Sequence, residues 1–419
     1  MSVAAAAPDV AGEAGGTGSG RRGLLLLILG ALSAIGPLSI DMYLPALPAI
    51  TGEMLSAPAQ VQLTLTACLV GISLGQVLAG PLSDVRGRRF PLIVGVAGYT
   101  LASLLCAFAP SVPALIATRL AQGVMGGAAL VIVRAVVRDL YEGAAIARIF
   151  ATLMLVSGLA PILAPIAGAQ LLSFTSWRGI FVALSVAGVV LLLAVLPGVK
   201  ETLPADQRER GGLGNTVATF WRLLGDRSFM ACSLAAGLAF AGMFAYISGS
   251  PFVLQEVYGA SPQQFSLIFG LNALGLTVMA QLGGRLSGRV SPARLVLAGM
   301  LVSLVGAALL VTATTAGSPG TGAGLGGVVA ALFVMMCGAG LVLPGTGALA
   351  LAGQPPQVAG SASALLGVLQ FAFGAVAAPL VGLAGSGTAV PMAVVMLALV
   401  ITSFLVFVLL GRGRVFAVR

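Results

Sequence analysis

Residues 23–48 read GLLLLILGALSAIGPLSIDMYLPALP, a run of span length in which Asp41 is the single charged side chain. About 20 consecutive, mostly apolar residues cross a bilayer as a helix, so this stretch is read as a membrane span. Its apolar part is too long for a secretory signal peptide and contains an acid, so the span is read as retained. The pattern then recurs along the chain. Apolar runs between charged or Pro/Gly breaks fall near 60–82, 90–109, 112–135, 148–172 and 179–197. After a polar stretch they resume near 229–253, 264–285, 292–313, 326–350, 357–382 and 389–411, for twelve spans in all.

Composition agrees with that reading. Hydrophobic types make up 58% of the 419 residues and charged types 8%, where a soluble domain carries roughly 25% charged residues. Mean hydropathy is +1.08. A cytosolic enzyme, a secreted domain and a disordered chain are excluded, because none could cover its surface with so few charges. The expected fold is therefore all-α, with twelve transmembrane helices in two pseudo-symmetric six-helix bundles. Residues 1–20 form a disordered cytoplasmic tail, 21–198 the first bundle, 199–228 a central cytoplasmic loop, 229–412 the second bundle and 413–419 a short tail. The sequence GPLSDVRGRR at Gly80 is echoed by GRLSGRV at Gly284, after the second span of each half, which is consistent with internal duplication.

The net charge of +9 would suggest nucleic acid in a soluble chain. Here 19 of the 21 Lys and Arg side chains fall on one side of the predicted spans; Arg178 lies in an outer loop and Arg119 inside a span. Basic residues in short loops stay cytoplasmic, so both termini and the central loop are expected in the cytoplasm of a multi-pass cell-membrane protein. No nucleic-acid partner is expected; the partners are the bilayer, protons and a small-molecule substrate, and the chain is expected to act as a monomer. There is no histidine, and the four cysteines sit in separate apolar stretches. No metal, disulfide framework or cofactor is expected.

Of twelve acids, only Asp41 lies within a span, and Arg119 is the only embedded cation. An ionised side chain at the bilayer centre costs about 2.5–3.5 kcal/mol on insertion scales, so it normally faces a bundle interior or aqueous cavity. Each lies seven residues from its span's outer end on the predicted boundaries, at about 10 Å depth. They are expected to meet, either as a proton-coupling pair or as a structural ion pair. Gln122, one turn from Arg119, is either a substrate ligand or interhelical glue.

In the second half the in-span polar groups are neutral. Tyr246, Asn272 and Gln370, with Phe244, are candidate substrate contacts. Aromatic and amide surface opposite one acid suits lipophilic neutral or cationic compounds better than sugars or dianions. Gly158, Pro161, Pro165 and Gly168 in SGLAPILAPIAG mark a candidate hinge, and GAGLVLPGTG at Gly338 a comparable weak point. Gly71 and Gly75, and Gly123 and Gly127, have the spacing of close helix contact. A membrane enzyme would need a nucleophile, base or metal constellation, and a sensor an output domain; neither is visible.

Several motifs together resemble the major facilitator superfamily, and within it the twelve-helix Bcr/CflA-type drug:proton antiporters. IDMYLPALP at Ile40–Pro48 resembles that group's first-helix signature and sets Asp41 on its membrane acid. GPLSDVRGRR resembles the loop between the second and third helices. There Gly80, Asp84, Gly87, Arg88 and Arg89 match, while Val85 stands where a base is usual. RLAQG at Arg119–Gly123 resembles the fourth-helix motif, and the segment through Arg134 and Arg138 continues it. SGLAPILAPIAG resembles the antiporter motif of the fifth helix. SWRGIF, YISGSPFVL and AGSASALLGVLQ resemble further stretches. The resemblance implies proton-coupled export of drug-like molecules by alternating access. It also implies a cytoplasmic latch of Asp84, Arg88 and Arg89 with Arg134 and Arg138. An exporter of a metabolite or siderophore, or an importer, would have the same architecture.

Overall fold

The computed structural model describes residues 17–141, 144–208, 213–316, 322–355, 358–383 and 387–411. Of the predicted tails 1–20 and 413–419, residues 1–16 and 413–419 lie outside the described residues, and Thr17–Gly20 belong to the first helix. In order, the helices are α1 Thr17–Asp41, α2 Leu47–Glu53, α3 Pro58–Arg86, α4 Arg89–Ala107, α5 Val112–Leu140, α6 Ala144–Leu172 and α7 Trp177–Gly198. There follow α8 Leu213–Leu224, α9 Arg227–Phe252, α10 Pro262–Leu286, α11 Pro292–Ala316, α12 Gly322–Ala352, α13 Ala359–Leu383 and α14 Val390–Leu410. Among the described residues there are no strands, and twelve segments are long and apolar enough to span a membrane. The first span, Gly23–Glu53, combines α1 and α2; the seventh, Arg227–Val257, ends in a π turn.

The side carrying Gly23, Arg86 and Arg227 is here the near side, and that carrying Glu53 and Trp177 the far side. Glycine pairs set the tightest helix seam. A Cβ on Gly123 would run into the carbonyl of Cys68, and one on Gly127 into that of Ile72. Gly71 and Gly75 face the α5 backbone in the same way. Absence of side chains lets the α3 and α5 backbones touch, which is how membrane helices gain packing energy without a hydrophobic driving force. The second half repeats the device where Gly340 of α12 meets the Leu276 carbonyl of α10.

The packing divides unequally along the membrane normal. One core joins both halves at the far side, with Tyr43, Leu47, Leu65, Trp177 and Phe181 from the first and Phe244, Tyr246, Phe252, Phe265 and Met392 from the second. At the near side the cores are separate. Leu29, Leu92, Ile132 and Val195 belong to the first half, and Phe229, Val296, Leu365 and Phe407 to the second. Hydrogen bonds between halves follow the same division. Gln62 Nε2 donates to the Ser248 carbonyl at 3.0 Å, Gln255 to Pro45 at 3.3 Å, Gln263 to Ala169 at 3.2 Å and Ser266 to Pro165 at 2.8 Å. These lie toward the far side; Thr66, donating to the Ala375 carbonyl at 3.0 Å, and Thr277, donating to that of Gly158 at 3.5 Å, join the halves deeper, toward mid-span. The halves are closed at the far side and part toward the near side.

Two sequence expectations need correction. The first span is not a continuous helix over 23–48, because α1 stops at Asp41 and a 3-10 turn, Leu44–Ala46, precedes α2. Pro45 lacks the N–H that would bond the Asp41 carbonyl, and its ring clashes with that group. The central stretch 199–228 is also not all loop, since it contains α8.

Candidate functional site

Asp41 closes α1 and is 5% exposed. It makes no hydrogen bond or ion pair among the described residues. The turn that follows it, Leu44–Ala46, packs on α9 and α10, which carry Tyr246 and Asn272. Tyr246 accepts from Asn272 Nδ2 at 2.9 Å and stacks on Phe269, centroids 5.3 Å apart. Asn272 Oδ1 is buried and has no partner. An acid of the first half therefore lies next to a turn that packs on the helices carrying this phenol and amide, within the layer where the halves are closed. A carboxylate there has no compensating cation.

Arg119 does not supply one. Fully buried on α5, it donates from Nη1 to the Ser39 carbonyl at 2.9 Å and to Gln122 Oε1 at 2.6 Å. Its guanidinium lies 4.9 Å from the Tyr43 ring centroid and 5.6 Å from that of Phe181. The expected Asp41–Arg119 pair is absent although the depths match: Arg119 reaches Ser39 and Tyr43 on either side of Asp41 in the chain, but no ion pair joins it to the Asp41 carboxylate among the described residues. Gln122 is likewise not presented to a ligand: fully buried, it also donates from Nε2 to Ser103 Oγ at 2.8 Å. Of the two readings, interhelical glue is the one its contacts fit. Arg119→Gln is therefore expected to cost about 2 kcal/mol of stability, from lost charged hydrogen bonds and cation–π contacts. It should leave the pH optimum of substrate binding in place. Thermal unfolding and a binding-versus-pH series check both halves of that expectation.

The remaining candidates scatter. Phe244 is buried and stacks on Phe240, which meets Phe371 edge-on. Gln370 is half-buried on α13. The candidate hinge is an unbroken stretch of α6 running through Pro161 and Pro165. Gly168 abuts the Met42 carbonyl beside Asp41, and Gly158 lies against Thr277 of α10, so these residues form a seam to the first span and to the other half. Gly338 is also packing, against Ser303 and Gly299.

At the near side Arg88 holds both Asp84 and, at 2.9 Å, Asp139. Gly87 turns the chain with φ +87, a conformation glycine adopts without strain. Arg89 donates to the Leu196 carbonyl at 2.9 Å. Gly80 has only Val131 beside it at 3.8 Å. Arg134 and Arg138 are exposed and join no ion pair among the described residues, where the expected latch is not assembled, and every member of the Arg88 cluster belongs to the first half.

Glu201, after α7, completes that cluster. Although partial burial works against its charge, the backbone N–H groups of Arg88, Leu203, Arg89 and Thr202 hold its carboxyl below the ordinary value of 4.5. A depressed folded-state pKa contributes stability that is full above the ordinary value and is lost as pH falls through the lowered one. The protection factors of the Arg88 and Arg89 amides, intrinsic over observed exchange, should therefore hold down to about pH 4.5 and fall below it. Glu201→Gln should lower them roughly tenfold or more at neutral pH.

The sequence profile of the Major Facilitator Superfamily matches residues 27–379. The chain belongs to that superfamily. The uncharacterized MFS-type transporter YdgK of Bacillus subtilis is 41% identical over 393 residues, covering 93% of this chain and 96% of the relative. The bicyclomycin resistance protein homolog of Haemophilus influenzae is 30% identical over 385 residues, covering 92% and 95%. Among solved structures, the nucleoside transporter NupG superposes with a TM-score of 0.77 at 13% identity, covering 93% of this chain and all of that one, a likeness of fold. This facilitator is thus a multi-pass membrane transporter of small molecules, similar over nearly its whole length to a bicyclomycin resistance homolog.

Sequence reasoning missed several residues that build the facilitator's site. Ser39 Oγ and Tyr99 Oη are 2.8 Å apart, and Ser103 receives Gln122, so Ser39, Tyr99 and Ser103 frame Arg119. Small hydroxyls in apolar helices carry little signal singly. The usable clue is that Tyr99 and Ser103 lie one turn apart on one face of α4.

Proposed function

We propose that this transporter exports amphipathic, neutral or cationic drug-like molecules across the cytoplasmic membrane in exchange for protons, by alternating access. The observation that carries the reading is Asp41: an acid without a counter-ion, at a helix break, where the first half meets the second beneath the far-side closure. An ionised Asp41 in that dry contact would be an uncompensated buried charge, which strongly opposes closure. Protonation removes the opposition.

In the proposed cycle Asp41 takes its proton from the far, external side and is sealed against Tyr246 and Asn272. It releases the proton when the near side wets it. A lipophilic substrate then meets Asp41 together with the amide and aromatic wall of Tyr246, Asn272, Gln370 and Phe244. The near side is assigned to the cytoplasm because most Lys and Arg gather there. Arg119 and Gln122 hold the first span to α4 and α5, so that the break at Asp41 has a fixed frame. The α6 seam, Gly158 to Gly168, is where the halves rock, and Asp84, Arg88 and Arg89 with Arg134 and Arg138 draw the near ends together in the opposite state. Similarity to a bicyclomycin resistance homolog supports a drug as cargo.

Inside-out membrane vesicles with an acidified lumen test the reading. Labelled tetraphenylphosphonium should accumulate in vesicles carrying the protein, and collapse of the pH gradient should stop it. Accumulation no greater than in vesicles without the protein, or indifferent to the gradient, would overturn the proposal.

A further inference from the structure

Helix α8, LGNTVATFWRLL, lies outside the twelve spans, yet its last turns carry a broad apolar arc. At 100° per residue Leu223, Phe220, Leu224 and Trp221 follow one another around about 160° of the helix, with Arg222 on the opposite side. Among the described residues one edge of that arc packs into a protein core. Leu223 is 2% exposed and, with Phe220 against it, joins the near-side core formed with Phe229 and Cys232 of α9, Ala293 and Val296 of α11, and Leu365 of α13. At the other edge Trp221 is 72% exposed and Leu224 39%.

We propose that this uncovered edge rests in the lipid headgroup boundary, making α8 an in-plane membrane anchor for the second half. Three observations select lipid as the occupant. A turn of two residues, Gly225 and Asp226, joins α8 to Arg227, where the seventh span begins, so the helix sits at the level where lipid surrounds the near end of that span. The edge is continuous with membrane-crossing helices, since α8 packs on α9 and α13. Its most exposed apolar side chain is a tryptophan, the residue type enriched at the water–lipid boundary, with exposed Arg222 and Arg227 able to stay in water. Asp226, the acid in the turn, caps α9 through the Ser228 and Phe229 N–H groups and accepts from Gln354, so it leaves the helix free to lie flat.

The central linker is then pinned at both ends, by Glu201 to the first half and by α8 to the second half and its lipid. Rocking would be confined to the spans.

The chain has two tryptophans, and Trp177 is buried, so Trp221 can be read directly. Fluorescence of wild type minus that of Trp221→Phe, in proteoliposomes, isolates it. Lipids brominated near the headgroup end of the acyl chain should quench this difference signal more strongly than lipids brominated near the methyl end, and aqueous iodide should quench it weakly. Strong iodide quenching without bromolipid quenching would overturn the proposal by placing Trp221 in water. Protection from both quenchers would also overturn it, by placing a protein surface, such as a second copy, over the edge. Trp221→Phe keeps the arc apolar, and its thermal stability should match wild type.

Discussion

Asp41→Asn is expected to reduce gradient-driven drug uptake to the level of vesicles lacking the protein, while the folded yield stays normal. Asparagine has the shape of the neutral acid and cannot titrate. It relieves the chain of a group whose ionised form costs about 2.5–3.5 kcal/mol at the bilayer centre, so thermal stability should hold or rise. The far-side closure should persist, because among the described residues no hydrogen bond or ion pair of the Asp41 side chain contributes to it. What is lost is the charge that opposes closure. Downhill exchange of a neutral substrate, which needs no proton, should continue in the variant. If gradient-driven uptake survives the substitution, coupling resides elsewhere and the mechanism above is wrong.

Gly123→Val is expected to prevent accumulation of folded protein. Its Cβ would meet the Cys68 carbonyl and approach the Cα of Gly71 at 3.0 Å, so the obstacle is backbone on both sides of the α3–α5 seam and no rotamer change relieves it. Overpacking of ordinary cores costs about 1–3 kcal/mol. Here the helices themselves must separate, so about 3 kcal/mol or more is expected. Gly284→Ala is the contrast, since a Cβ there meets nothing within 4 Å. Exchanging a helical glycine for alanine at such a position should gain about 0.5–1 kcal/mol. Monodisperse yield and thermal unfolding in detergent distinguish the two; equal yields of both variants would mean that the close seam is not a folding requirement.

The number and order of spans are legible from hydropathy because lipid forces every crossing segment into a long apolar helix, a constraint that leaves little choice to tertiary context. The glycine pairs of α3 and α5 are legible for a related reason: a four-residue repeat of the smallest side chain aligns on one helix face. The site was only half legible. Asp41 stands out as the one acid in a span, and the helix break beside it follows from Pro45 four residues on. The destination of the Arg119 guanidinium does not follow from sequence. It is decided by the Ser39 carbonyl, by Gln122 and by the rings of Tyr43 and Phe181, which three spans bring together. Depth counting sets Arg119 level with Asp41, as its contacts to Ser39 and Tyr43 do, but depth does not say which way around the span a side chain points. Glu201 and α8 were hidden in a segment whose average polarity looks like a loop, although the spacing of Phe220, Trp221, Leu223 and Leu224 marks a helix face once the segment is read by period rather than by mean.

The most direct test of Asp41 as the proton carrier is proton release on substrate binding in weakly buffered detergent solution. On addition of tetraphenylphosphonium, with binding confirmed calorimetrically, wild type should acidify the solution and Asp41→Asn should bind without acidification. Equal proton release from both proteins would contradict the central claim.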